Sequence, residues 1–89
     1  MYVVINVDRI IATVVLSKQR SIDMELPAFM SISELSAKVL ETICVLYPDK
    51  WDNADEIRLL FMGHPLRNDT TLASNGVWDG AYLEVERGK

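Results

Sequence analysis

The chain has 89 residues, 49% of them hydrophobic and 25% charged, with a formal net charge of −4. This length holds one small domain, and this composition is globular rather than disordered. The acidic balance, with no tract of Lys and Arg to offset it, argues against nucleic acid or an anionic membrane surface as a partner.

In chain order, Tyr2-Val3-Val4-Ile5-Asn6-Val7 is strand-like by composition. A hairpin, however, needs only Arg9 to Leu26. Residues 1–8 therefore read as an N-terminal extension of the first strand, as an extra edge strand, or as an arm through which two copies pair into a homo-oligomer. The start lacks a basic n-region and a cleavage site. The apolar stretch through Leu16 is interrupted by Asn6, Asp8 and Arg9, too short and polar to span a bilayer. The expected location is cytoplasmic, with docking on a membrane machine as a further possibility.

Arg9 to Leu16 is a β-branched run, and Ser17-Lys18-Gln19-Arg20-Ser21 reads as a polar hairpin loop. Ile22, Met24 and Leu26 then alternate with Asp23 and Glu25, giving a half-buried strand with an acidic outer side. Pro27 ends it. Ser31-Ile32-Ser33-Glu34 fits a capping box, with the Ser31 hydroxyl accepting from the Glu34 amide and the Glu34 carboxylate reaching back. Ile32, Leu35, Val39, Leu40, Ile43 and Leu46 follow at helical spacing, and Tyr47-Pro48 stops the helix.

Beyond an acidic loop, Ile57, Leu59 and Phe61 alternate with Arg58, Leu60 and Met62 as a strand. Gly63-His64-Pro65 breaks it, and Leu66 reads as an anchor on a short return strand. Thr71 to Val77 suits one helical turn closed by Gly76. Asp79-Gly80 marks a tight turn, and Ala81, Leu83 and Val85 alternate with Tyr82, Glu84 and Glu86 in the last strand. The expected core includes Ile22, Met24, Leu26, Leu35, Val39, Ile43, Leu59, Leu83 and Val85.

Little in this chain has the pattern of chemistry. Its one histidine, His64, has no adjacent nucleophile and lies in a turn. Asp49, Asp52, Asp55 and Glu56 lack the Gly and closing Glu of a calcium loop. Cys44 stands alone beside the apolar stripe, between Ile43 and Val45, with no cation to activate it. A half-buried free thiol also suits a reducing compartment. No catalytic residue, metal or cofactor is expected. Trp51 and Trp78 are read as covering the rim of the core.

The pattern Arg58-Leu59-Leu60-Phe61-Met62-Gly63, then Leu66, Thr71-Leu72 and Gly76-Val77, resembles that of ubiquitin-like proteins, over residues 9–87. Ile22 to Phe29, the helix Ile32 to Leu46 and Gly76-Val77-Trp78-Asp79-Gly80 are more narrowly similar to the bacterial YukD/EsaB type of type VII secretion systems. The resemblance implies an α+β fold, a ubiquitin-like β-grasp whose mixed sheet of four or five strands packs on one α-helix. It implies a non-enzymatic interaction module, accessory or regulatory to such a system, with cytosolic domains of its membrane complex as partners. Leu60 matches the position that anchors ubiquitin's recognition patch, while Glu84, Glu86 and Ser17 replace other residues of that patch. The candidate partner-binding residues are Arg58, Leu60, Met62, His64 and Tyr82.

A ubiquitin-like modifier or sulfur carrier with an atypical C-terminus is the alternative. Such proteins end in a mobile Gly-Gly, whose small residues thread a narrow enzyme channel. Here the matching stretch reads Glu86-Arg87-Gly88-Lys89, so conjugation is not expected.

Overall fold

The structure, a computed structural model, describes residues 9–51 and 54–88. The extension at residues 1–8, with its expected pairing arm, lies outside the described residues.

Strands β1 (Arg9–Ser17) and β2 (Arg20–Pro27) form an antiparallel hairpin. Its turn is Lys18-Gln19, shorter than the five-residue loop expected. Pairing runs through Val15↔Ser21 and then shifts register before Ser17↔Arg20. A bulge absorbs the shift, and the Ser17 hydroxyl accepts from the Gln19 N–H at 3.3 Å. The polar residues taken for loop are strand ends.

Helix α1 (Ile32–Leu46) follows, then a four-residue helix α2 (Pro48–Trp51). Strands β3 (Ile57–Phe61) and β4 (His64–Pro65) form a second hairpin, and a 3-10 turn spans Ala73–Asn75. Gly76, at φ 73°, closes that turn in the left-handed region. Strand β5 (Tyr82–Arg87) completes a five-stranded sheet in the order β2-β1-β5-β3-β4. The β1–β5 pair is parallel and the other pairs are antiparallel, so the sheet is mixed. The return strand is His64–Pro65 rather than Leu66, which lies just beyond it, buried, donating its N–H to the Leu59 carbonyl.

Two periodicities meet in one core. Strand alternation sends Ala12, Val14, Leu26, Leu59 and Leu83 to one face of the sheet, and Ile32, Leu35, Val39 and Ile43 form the buried stripe of α1. Three expected core residues are only half-buried. Ile22 and Met24 lie on β2, which among the described residues is an edge strand, and Val85 lies on β5 near the sheet's end. Leu46, expected on the helix stripe, is 50% exposed. The core is closed at that end by Trp51, brought back by α2. Pro48 suits the first turn of α2, where its missing N–H would be unpaired anyway.

The start of α1 is unusually well satisfied. The Ser31 hydroxyl accepts from the Glu34 N–H at 3.3 Å, as the sequence leads one to expect. The Glu34 carboxylate lies 3.4 Å from the Ser31 hydroxyl rather than reaching back to the amide. The Ile32 and Ser33 N–H groups donate to the carbonyls of Thr70 and Asn68, at 2.8 and 3.2 Å. Three of the four donors that a helix start leaves unpaired are thus taken, two of them by the segment leading to β5. Replacing Ser31 with Ala is expected to cost about 0.5–2 kcal/mol. In urea denaturation this is a lowered midpoint with unchanged slope; an unchanged midpoint would contradict the assigned cap.

Candidate functional site

With Ala12, Val14, Leu59 and Leu83 facing α1, the alternate residues of the same strands face away from it. Register brings Tyr82 opposite Thr13, Glu84 opposite both Val15 and Leu60, and Glu86 opposite Arg58. Leu60 is half-buried on β3, next to the β4 edge, and Tyr82, 66% exposed, lies diagonally from it on β5. Asp23 and Glu25 extend the face onto β2, where Asp23 accepts from the Thr13 hydroxyl at 2.8 Å. Glu84, on the central strand, thus lies between Leu60 and Val15, and the apolar patch of Leu60 and Tyr82 is bordered by acidic residues.

Three of the five candidate residues, Arg58, Leu60 and Tyr82, share this surface. The Arg58 guanidinium lies 3.6 Å from the Glu86 carboxylate, an exposed pair that adds little to stability. Arg58 therefore already has a carboxylate neighbour on its own sheet. Met62 belongs to the turn at the margin, while His64, expected in that turn, is the first residue of β4. Met62 is 79% exposed and adopts φ 53°, a left-handed conformation uncommon for a side chain of its kind. His64 is exposed but pairs across from Phe61, an inner-face position, so Pro65 is the β4 residue opposite Leu60.

At the β1 side of this face, two exposed apolar residues were missed or misplaced. Ile11 is 53% exposed on the outer side of β1; alternation from Ala12 and Val14 already implied it. Trp78 is 72% exposed rather than covering the core. Val77, next to it, takes the inward position and is buried. The Asp79 carboxylate accepts from the Ile11 N–H, and the Gly80 N–H donates to the Ile11 carbonyl, both at 2.8 Å. The turn is thereby latched to β1, with Trp78 left outside. Trp51 does cover the rim of the core, 8% exposed. The Cys44 thiol donates to the Trp51 carbonyl at 3.2 Å, in keeping with a half-buried structural thiol. Among the described residues no His, Cys, Asp and Glu converge as metal ligands, and no helix is long and apolar enough to cross a membrane.

One long helix lying across a mixed five-stranded sheet that contains a parallel pair, with the outer face uncovered among the described residues, defines a ubiquitin-like β-grasp protein. The family model described as "WXG100 protein secretion system (Wss), protein YukD" matches residues 10–85, and the chain belongs to that family. Solved structures agree on the fold. The ubiquitin-like domain of EccD5 from Mycobacterium xenopi is 19% identical with a TM-score of 0.77, over 91% of this chain and 96% of that one. The ubiquitin-like domain of the Mycobacterium tuberculosis type VII secretion protein ECCD1 is 20% identical with a TM-score of 0.71, over 88% and 97%. A chain of the "MycP5-free ESX-5 inner membrane complex, State II" is 18% identical with a TM-score of 0.75, and the match covers 91% of this chain and 21% of that one. No curated protein matches the chain.

The two tryptophans are expected to behave oppositely. Trp51→Ala should destabilise the protein by about 3–5 kcal/mol, as for truncation of a buried aromatic. Trp78→Ala should stay within about 0.5 kcal/mol of wild type. Urea denaturation of both variants, with acrylamide quenching of the remaining indole, checks the assignment: the Trp78 emission should be the readily quenched one.

Proposed function

We propose that this protein is a non-enzymatic interaction module of a type VII secretion system, binding a cytosolic protein domain through its outer sheet face without being conjugated to it. The observation carrying this reading is the outer face itself. Leu60 and Tyr82 form an apolar patch on rigid strands, bordered by Glu84 and Glu86 and, further off on β2, by Asp23 and Glu25. An apolar centre within a polar rim is the usual build of a protein-binding surface. Membership of the YukD family supplies the secretion context. The likeness to a chain of an ESX-5 inner membrane complex supports a partner within the membrane machine, with this chain on the cytoplasmic side.

The face has the wrong charges to serve receptors of ubiquitin's patch, because Glu84 and Glu86 replace the residues those receptors read. It suits a partner with an apolar knob and basic surroundings, and the acidic rim speeds encounter at low ionic strength. Met62, in the β3–β4 turn, extends the contact at its edge, with His64 of β4 just beyond it. Non-covalent action is supported by the setting of Gly88, whose N–H donates to the Glu56 carbonyl at 2.9 Å. A Cβ placed there would sit 2.6 Å from the Glu56 side chain. That glycine is packed against the domain, not held out from it.

Leu60→Asp places an unpaired charge in the contact, where desolvation is costly. In pull-downs from the native cell, this variant is expected to lose the partners recovered by wild type, with circular dichroism showing equal folding. Recovery of the same partners in equal amount would refute the outer face. A ladder of covalent adducts on a denaturing gel would refute non-covalent action.

A further inference from the structure

We infer that a second surface, the cleft at the C-terminal end of α1, binds a short acidic segment of a partner protein. The cleft lies on the helix side of the sheet, so it does not depend on the outer-face reading. Leu16, Ser17, Gln19, Arg20, Lys50, Trp51 and Arg87 line it. Beyond the last turn of α1, the sheet is covered by Tyr47 at the helix cap and by Trp51, and each ring carries an arginine. The Arg20 guanidinium carbon lies 4.4 Å from the Tyr47 ring centroid, and that of Arg87 lies 4.5 Å from the Trp51 centroid.

Stacking fixes each guanidinium plane against a ring and leaves its N–H edges for hydrogen bonding. A guanidinium held in this way loses less freedom when it takes a carboxylate. Lys50 adds a third positive charge to the same lining. None of the three cations is in an ion pair with a carboxylate among the described residues. No carboxylate lines the cleft there either, although the whole chain has 13 acidic residues against 9 basic ones. Among the described residues these three cations gather without a counter-charge, so they repel one another, and an incoming anion relieves that repulsion. The last turn of α1 has no basic residue of its own, so a cation near its carbonyl end is favoured.

The cleft, about 230 Å³, has room for one or two carboxylate side chains. A long polyanion or an anionic bilayer would also meet the acidic faces of a protein of net charge −4. A short acidic segment reaches the cations without doing so.

The test uses the full chain, labelled with nitrogen-15, titrated at low ionic strength with acetylated hexaglutamate amide and, separately, with hexaglutamine amide. Saturable shifts are expected with hexaglutamate at Ser17, Gln19, Lys50 and the Trp51 indole N–H, and none with hexaglutamine. Arg20→Gln/Lys50→Gln should weaken binding by at least about five-fold, while Arg9→Gln/Lys38→Gln, on another flank, should bind as wild type does. Thermal unfolding separates loss of the site from loss of the fold. If the first double variant does not fold, Lys50→Gln, whose residue stacks on no ring, replaces it and should still weaken binding. Unlocalised shifts, equal binding by both double variants, or binding to phosphatidylserine vesicles in place of the peptide would each overturn the proposal.

Discussion

Two hydrogen bonds at the start of α1 organise this molecule. The Ile32 and Ser33 N–H groups donate to the carbonyls of Thr70 and Asn68, so the helix is capped by a segment almost forty residues further along the chain. The same segment is tied to the β2–α1 connection by the Ala73 N–H, which donates to the Ala28 carbonyl, and by an isolated bridge between Ser31 and Thr71. Leu72 is fully buried in its midst. These contacts determine where the crossover runs, and so where it releases the chain to form β5. If the cap were satisfied by water instead, the helix would persist, but the crossover would lose its anchor. Position of the helix and position of the central strand are therefore one constraint.

Much of this was legible in the sequence because local signals and burial agreed. Ser31 as the helix cap, Ile32 to Leu46 as the helix and Gly76 as the end of the 3-10 turn each depend on chemistry within a few residues. What was not legible depends on contacts between distant residues. Ile22 and Met24 alternate as well as any buried strand does, but alternation does not say that β2 is at an edge. Trp78 is as apolar as Trp51, and only the Asp79 latch on Ile11 decides that one is outside and the other inside. The helix α2 escaped notice because Pro48-Asp49-Lys50-Trp51 has too few residues for a periodicity.

The outer face was legible in part for the same reason. Period two placed Arg58, Leu60 and Tyr82 together correctly, since all three lie within regular strands. It stopped at the turn, where the positive φ angles of Met62 and Gly63 reset the phase, and His64, expected in that turn, starts β4 instead. It was also silent on the Arg58–Glu86 pair, which needs the antiparallel register of β3 and β5. That pair shows a surface already partly neutralised by its own residues. The charge it offers a partner is less than the sequence suggests.

β5 is the last strand in the chain, yet it occupies the middle of the sheet, between β1 and β3. A ribosome delivers the two flanking hairpins first, and neither can complete its pairing until residues 82–87 have emerged. The β1–β2 hairpin alone would expose Ala12 and Val14 to water, and β3 would expose Leu59. Folding of this domain is therefore set by long-range closure, which slows it relative to a protein of local contacts. Loss of β5 by proteolysis or premature termination would separate the sheet into two halves with open edges, and such edges invite pairing with other chains. Its outer face and its helix-side cleft both draw on β5, through Tyr82 and Arg87, and so come into being together when that strand is inserted.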